Sequence, residues 1–197
     1  MLYTKIKRIL DILFTILISP LLILLSLIIS LMLKIENFNE DIFFVQKRVG
    51  KNSQNFYLYK FRTMKSEHNP QDNWTKYNDE RVTFLGGMLR KTRLDEIPQF
   101  YNIIKNEMSL IGPRPEQVHL VNALIKKYGK DFSKRHHNTL PGITGFAQIN
   151  HGYVGDFDSW KKKLDYDIYY VENISLIFDI KIFFRTFIAL LKMYGSR

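Results

Sequence analysis

Two adjacent carboxylates set among cations are the side chains of this sequence best suited to chemistry. Asp95 and Glu96 lie in Arg90-Lys-Thr-Arg-Leu-Asp-Glu-Ile-Pro-Gln99, and Met108-Ser-Leu-Ile-Gly-Pro-Arg-Pro115 follows with Arg114 fixed between two prolines. This combination suits phosphate: arginine binds its oxygens as a fork, while a carboxylate can attack phosphorus or hold a hard metal ion. Asp95 is a good helix N-cap, and Ile97, Tyr101, Ile104 and Met108 recur at helical spacing, which predicts a helix over residues 96–107 with Pro98 in its first turn. Both acids would then sit at the positive end of the helix dipole, which favours their ionised forms. Neighbours on a helix point roughly 100° apart, so one acid can face a reacting phosphorus and the other a metal. An aspartate at a helix start is most often a structural cap alone, so the pair gains weight only from its surroundings.

The elements that must position this pair include a membrane segment. Residues 12–33 carry no formal charge and as a helix would extend roughly 33 Å, enough to cross a bilayer core. Ser19-Pro20 lies near the middle, where proline removes a donor and the serine hydroxyl can satisfy a freed carbonyl. Lys5, Lys7 and Arg8 precede the segment, and Lys34, Lys47 and Arg48 follow it, so a helix bent back at Ser19-Pro20 keeps both basic flanks on one side. Residues 176–193 are rich in Ile and Phe with a narrow cationic side, which fits either an interfacial helix or a buried core helix. Residues 42–45 and 56–61 read as short strands, 118–128 and 159–170 as helices, and 66–78 as a polar surface loop.

Composition narrows the classes of function. The chain has 197 residues, room for one globular domain plus a membrane element, and no cysteine, which excludes disulfides and thiolate metal sites. Its 29 Lys and Arg against 19 Asp and Glu, a formal +10, call for an anionic partner. A glycosidase needs carboxylates on opposite sides of a sugar, which adjacent residues serve poorly. Gly86-Gly-Met-Leu-Arg-Lys-Thr92 lacks the glycine before lysine that a phosphate loop requires. His136-His137 has no supporting metal-ligand spacing and reads as surface; Lys161-Lys-Lys163 reads as a solvated helix face. A membrane-tethered basic binding module without catalysis is the alternative reading, and it leaves the Asp-Glu pair unexplained.

Val45-Gln-Lys-Arg-Val-Gly50, Tyr59-Lys-Phe-Arg-Thr-Met64, the dyad with its Pro-Arg-Pro, and Leu140-Pro-Gly-Ile-Thr-Gly-Phe-Ala-Gln-Ile-Asn150 occur in an order that resembles the bacterial sugar transferases. These are monotopic phosphoglycosyl transferases that begin glycan assembly on polyprenyl phosphate, and the resemblance covers nearly the whole chain. It implies a mixed α/β, helix-rich fold: a re-entrant, helix-break-helix membrane segment over residues 1–36, and a small cytoplasmic catalytic domain over 37–197 with interfacial amphipathic helices and a membrane-associated C-terminal helix. It implies transfer of a sugar-1-phosphate from a UDP-sugar to polyprenyl (undecaprenyl) phosphate with release of UMP, at the cytoplasmic face of a bacterial inner membrane, with no nucleic-acid partner. Asp95 would be the nucleophile and Glu96 the ligand of Mg²⁺; Arg90 matches the family's phosphate-binding position, and Pro113, Arg114 and Pro115 would meet phosphate or nucleotide. Lys60 and Arg62 are weaker substrate-binding candidates, since alternating basic residues on a strand often only decorate a surface. The sequence alone equally permits direct attack by the lipid phosphate. Two departures stand out: the family usually has Asn-Gly-Arg where this chain has Asn150-His-Gly-Tyr-Val-Gly155, and a small polar residue where this chain has Arg93.

Overall fold

A computed structural model describes residues 2–65, 79–129, 136–151 and 157–191. The expected surface loop at 66–78, residues 152–155 of the departing segment and the end of the predicted helix 176–193 lie outside the described residues. The architecture is mixed α/β and helix-rich, with a three-stranded antiparallel sheet and a two-stranded parallel one.

Helix α1 (Leu2–Glu36) runs through Pro20 without interruption, so the expected helix-break-helix is a single helix with a proline inside it. Pro20 has no N–H for the carbonyl of Ile16, and the Ser19 hydroxyl donates to that oxygen instead, at 2.8 Å. The helix is long and apolar enough to cross a bilayer. Leu13, Leu17, Leu21, Leu24 and Leu27 all point away from the protein. Both ends are nevertheless fastened to the folded domain. Near the N-terminus, Lys7 and Arg8 are more than a basic flank: Lys7 Nζ lies 2.9 Å from Asp179, and Arg8 donates to the carbonyls of Ile103 and Met108 at 2.6 and 3.2 Å. Tyr3 also donates to Asp179, and Ser109 donates to Asp11. At the other end Ile29 and Leu33 join a core with Phe61, Leu85, Leu89 and Ile97.

Strands β1 (Phe43–Val49) and β2 (Asn55–Phe61) pair antiparallel, from Phe43 opposite Phe61 to Val49 opposite Asn55. The turn between them places Asn52 and Ser53 at positive φ, and Asn52 donates its N–H to the carbonyl of His137. Phe56 and Leu58 point inward from β2 onto Ile103 and Met108, and alternation puts Lys60 on that same face. Helix α2 (Phe84–Thr92) is capped by Thr83, whose hydroxyl accepts from Gly86, and by Glu36 of α1, which accepts from Leu85. Gly86 is a packing glycine, since a Cβ there would fall 2.1 Å from the carbonyl oxygen of Thr63.

After α2 the chain turns sharply at Arg93, in the left-handed region at φ 60°, into a single 3-10 turn, Leu94–Glu96. Helix α3 (Gln99–Ile104) follows, with Pro98 at its N-cap. The predicted helix over 96–107 is therefore shorter, and Asp95 caps nothing. Of the expected apolar face Ile97 and Met108 are buried, but Tyr101 and Ile104 are exposed, and Asn102 and Ile103 turn inward in their place. The side chain of Asn102 explains the rotation, because it donates to the carbonyl of Tyr57 and accepts from the N–H of Tyr59, serving as a neighbour for the free edge of β2.

Strand β3 (Ser109–Ile111) leads into Gly112-Pro-Arg-Pro115 and then β4 (Glu116–Gln117), which pairs with the end of β1. Helix α4 (Val118–Tyr128) is as expected, as is α6 (Phe157–Glu172) apart from its bounds. Strand β5 (Gly142–Thr144) pairs parallel with β3 and leads to the short α5 (Phe146–Asn150); α7 (Leu176–Leu191) ends the described chain. The Pro-Gly-Ile-Thr-Gly segment clamps the Pro-Arg-Pro loop. Gly112 donates to Thr144, Gly142 donates to Pro113, and Cβ atoms at Gly142 and Gly145 would each fall 2.1 Å from backbone atoms of Gly112. Gly142→Ala is accordingly expected to destabilise by roughly 3 kcal/mol, the upper range for overpacking. It should also displace Arg114, whose loop the clamp holds. Denaturant unfolding in detergent with unchanged stability would show that the loops tolerate separation.

Candidate active site

The 3-10 turn after Arg93 delivers Asp95 and Glu96 side by side into the space between β2 and the Pro-Arg-Pro loop. Glu96 is buried and surrounded by cations from three elements. Its Oε1 lies 2.8 Å from Lys60 Nζ and 2.7 Å from one Arg114 nitrogen; Arg93 approaches to 4.0 Å, and Oε2 receives only a long 3.5 Å contact from Arg114. Asp95 is also buried, yet its nearest cation is Lys60 at 3.7 Å, beyond hydrogen-bonding distance.

This asymmetry divides the ionisation of the pair. Burial raises the pKa of Asp95 and the charge of Glu96 adds to the rise, against the opposing pull of Lys60, Arg114 and Arg93. Burial acts in the same direction on Glu96, but Arg114 and Lys60 together outweigh it and hold that carboxyl well below the usual range. Glu96 in turn keeps Arg114 firmly protonated. The expectation that a helix dipole favours both ionised forms is thus corrected for Asp95. The helix begins three residues after Glu96, and burial dominates. Two neighbouring acids pushed apart in pKa are the arrangement by which one fold assigns them different tasks.

Arg114 is held from several sides. Its loop is gripped by the glycine clamp, and Arg48 of β1 donates to the carbonyl of Pro115 at 3.0 Å. Burial lowers the pKa of Arg48 to about 10, so it remains a cation. Pro113 is fully buried in the clamp and positions the backbone. Of Lys60 on β2 and Arg62 just past its end, only Lys60 reaches the dyad. Arg62 donates to the carbonyl of Leu33 and lies 4.0 Å from Glu40, so it secures the end of α1. Arg90 is half-buried in the last turn of α2, five residues before Asp95.

Behind the Pro-Arg-Pro loop lies a buried charged network, where the sequence alone suggests surface. His136 and His137 are buried, as is Lys163, whereas Lys161 and Lys162 are exposed. His136 Nε2 lies 3.2 Å from Asp167, and Lys163 bridges Asp167 at 3.3 Å and Glu116, two residues past Arg114. Burial of Asp167 is outweighed by Lys163 and His136, which keep it ionised. The helical period was the available signal, since Lys163 falls with Trp160, Leu164 and Asp167 on the inward face of α6.

Comparison with known proteins agrees with the geometry. Residues 2–193 match a family described as bacterial sugar transferase. The chain is 40% identical over 198 residues to a UDP-N-acetylgalactosamine-undecaprenyl-phosphate N-acetylgalactosaminephosphotransferase of Aeromonas hydrophila, covering 99% of this chain and 46% of that protein. It is 38% identical over 174 residues to a UDP-glucose:undecaprenyl-phosphate glucose-1-phosphate transferase of Escherichia coli, covering 86% of this chain and 36% of that one. With the exopolysaccharide production protein ExoY of Sinorhizobium fredii it shares 35% over 212 residues, 96% of this chain and 87% of that one. The chain thus spans half or less of the first two relatives and most of the third. It belongs to the bacterial sugar transferase family.

Proposed function

We propose that this chain is a phosphoglycosyl transferase that moves a sugar-1-phosphate from a UDP-sugar to polyprenyl (undecaprenyl) phosphate and releases UMP, initiating bacterial glycan assembly. The observation that carries the reading is the contrast within the dyad. Glu96 is immobilised by Lys60 and Arg114, while Asp95 is buried beside it and, among the described residues, its carboxylate accepts no hydrogen bond. An attacking group must be free to move onto phosphorus. In the first step an Asp95 oxygen forms a bond to the phosphorus carrying the sugar, and the bond from that phosphorus to the bridging oxygen breaks, sending UMP away with the electron pair. In the second step an oxygen of the polyprenyl phosphate attacks the same phosphorus and Asp95 leaves as a carboxylate. Lys60 and Arg114 would steady phosphate oxygens in both steps, and Arg90 would assist, as the family resemblance implies.

Glu96 suits a magnesium ion, because it is ionised and its Oε2 is only lightly used. No group of three acidic, histidine or cysteine ligands occurs among the described residues, so phosphate oxygens and water would complete the shell. Bound there, Mg²⁺ would neutralise diphosphate charge.

The membrane reading is re-entrant, at the cytoplasmic face of the inner membrane, with 1–36 as the membrane segment and the remainder as the catalytic domain. Arg8 holds Ile103, while Leu33 shares a core with Ile97. Those two anchor points are six residues apart, about 9 Å in helical conformation, whereas residues 8 and 33 of a straight helix lie roughly 38 Å apart. A bend of the continuous helix at Ser19-Pro20 would reconcile the two and would leave both ends of α1 on the side of the domain.

The site yields a paired prediction. Asp95→Asn should abolish UMP release in a detergent assay with UDP-sugars, polyprenyl phosphate and Mg²⁺, yet leave stability at neutral pH unchanged or higher. The sign follows from the raised pKa: a carboxyl whose folded pKa exceeds its unfolded value stabilises the protein below the unfolded value, and that contribution is lost as pH rises and the buried group ionises. Glu96→Gln should instead lower stability by about 3–5 kcal/mol, since it strands Arg114 and Lys60 without their counter-charge. Wild-type activity should rise with pH through a limb above the ordinary aspartate range. Full activity of the Asn variant would remove Asp95 as nucleophile.

For topology, tags before Met1 and after Arg197 should both be accessible from the cytoplasm. Replacing Ser19 and Pro20 together by leucine should send part of the N-termini across and lower activity. An N-terminus labelled only from outside would leave an ordinary spanning helix.

A further inference from the structure

Helix α7 buries only a narrow seam, with Asp179 and Ile182 inward, and leaves Ile177, Phe183, Phe184 and Phe187 exposed. Beside this apolar face runs a groove of about 330 Å³, lined by Phe146 and Ile149 of α5 and by Phe178, Ile180 and Phe184 of α7. Its edge carries two cations. Lys181 and Arg185 stand one helical turn apart, and such like-charged i,i+4 neighbours repel unless an anion lies between them. Among the described residues neither is paired with a carboxylate, and the one polar contact is from Arg185 to the side-chain oxygen of Asn150 at 2.8 Å. An apolar channel ending at two uncompensated cations is complementary to a hydrocarbon chain that ends in a phosphate.

We propose that the α5–α7 groove binds an anionic glycerophospholipid of the surrounding bilayer, with its phosphodiester between Lys181 and Arg185 and part of one acyl chain along the apolar lining. The proposal rests on the reading that this protein works at a membrane, and it adds a site outside the reaction centre. The reacting lipid must bring its phosphate to Asp95, and the groove shares no lining residue with Asp95, Glu96, Lys60 or Arg114. A lipid seated here is therefore a resident one. It would hold α7, and through the Phe14–Phe183 ring contact also α1, at a fixed depth.

The test uses the full chain in detergent, titrated with dioleoylphosphatidylglycerol or dioleoylphosphatidylcholine and read by native mass spectrometry. Wild-type protein should take up one phosphatidylglycerol with about tenfold preference over phosphatidylcholine. Lys181→Gln with Arg185→Gln should erase the preference, and Lys181→Arg alone should keep it. Both side chains are exposed, so the double variant should fold and retain transferase activity in detergent. Equal uptake of the two lipids by wild-type protein, or a preference that survives in the double variant, would overturn the site. So would one-for-one displacement of phosphatidylglycerol by a polyprenyl monophosphate, which would reassign the groove to the acceptor. Because the chain has no cysteine, a nitroxide at Phe187→Cys reports depth independently in phosphatidylcholine vesicles. An immersed label without phosphatidylglycerol preference overturns the site and leaves the membrane reading standing, whereas a label in water overturns both.

Discussion

Burying the charge of Glu96 is the constraint on which the arrangement depends. An ionised carboxylate removed from water must meet cations at hydrogen-bonding distance or become neutral. Here the cations come from separate elements: Lys60 from β2, Arg114 from the loop between β3 and β4, and Arg93 from the end of α2. The hairpin, the glycine clamp and the left-handed turn at Arg93 are thus conditions for one ion cluster. Asp95 shares the burial but has only a looser pairing, with Lys60 at 3.7 Å, and that imbalance supports the proposal that it is the nucleophile.

The same logic recurs at the membrane end of the molecule. Lys7 and Tyr3 of α1 meet Asp179 of α7, which also accepts from Tyr170, and Asp11 accepts from Ser109 at the start of β3. Strand β3 leads directly into Gly112-Pro-Arg-Pro115, so the contact that fixes α1 is three residues from the loop that carries Arg114. Helix α1 and the Arg114 loop are therefore joined by a short path. Such a link suits the proposed transfer to a lipid phosphate presented at a defined depth.

Local chemistry made much of this legible in sequence. The dyad, Arg114 between prolines, the apolar α1 and the periods of α4, α6 and α7 were readable because each is set by neighbours in the chain. What escaped depends on partners distant in sequence. The inward turn of α3 follows Asn102, which answers the free edge of β2, and no periodicity within residues 96–107 records that edge. Lys60 and Arg62 look equivalent on one strand, and only the fold places one against Glu96 and the other against Leu33. Their phase with Phe56 and Leu58 did signal an inward face. His136 and Lys163 are similar: a histidine pair and a lysine run resemble surface until Asp167 and Glu116 are seen beside them. The Pro-Gly-Ile-Thr-Gly segment was visible as a motif, but its use as a clamp required the backbone of Gly112 beside it.

The central claim is that Asp95 forms a covalent bond to the transferred phosphosugar before any lipid is engaged. Isotope exchange tests it directly: wild-type protein is incubated with UDP-sugar, Mg²⁺ and labelled UMP in the absence of polyprenyl phosphate. Reversible formation of the Asp95 intermediate predicts that label enters the UDP-sugar, and that Asp95→Asn prevents it. No exchange until polyprenyl phosphate is added would contradict the account and establish direct displacement by the lipid phosphate.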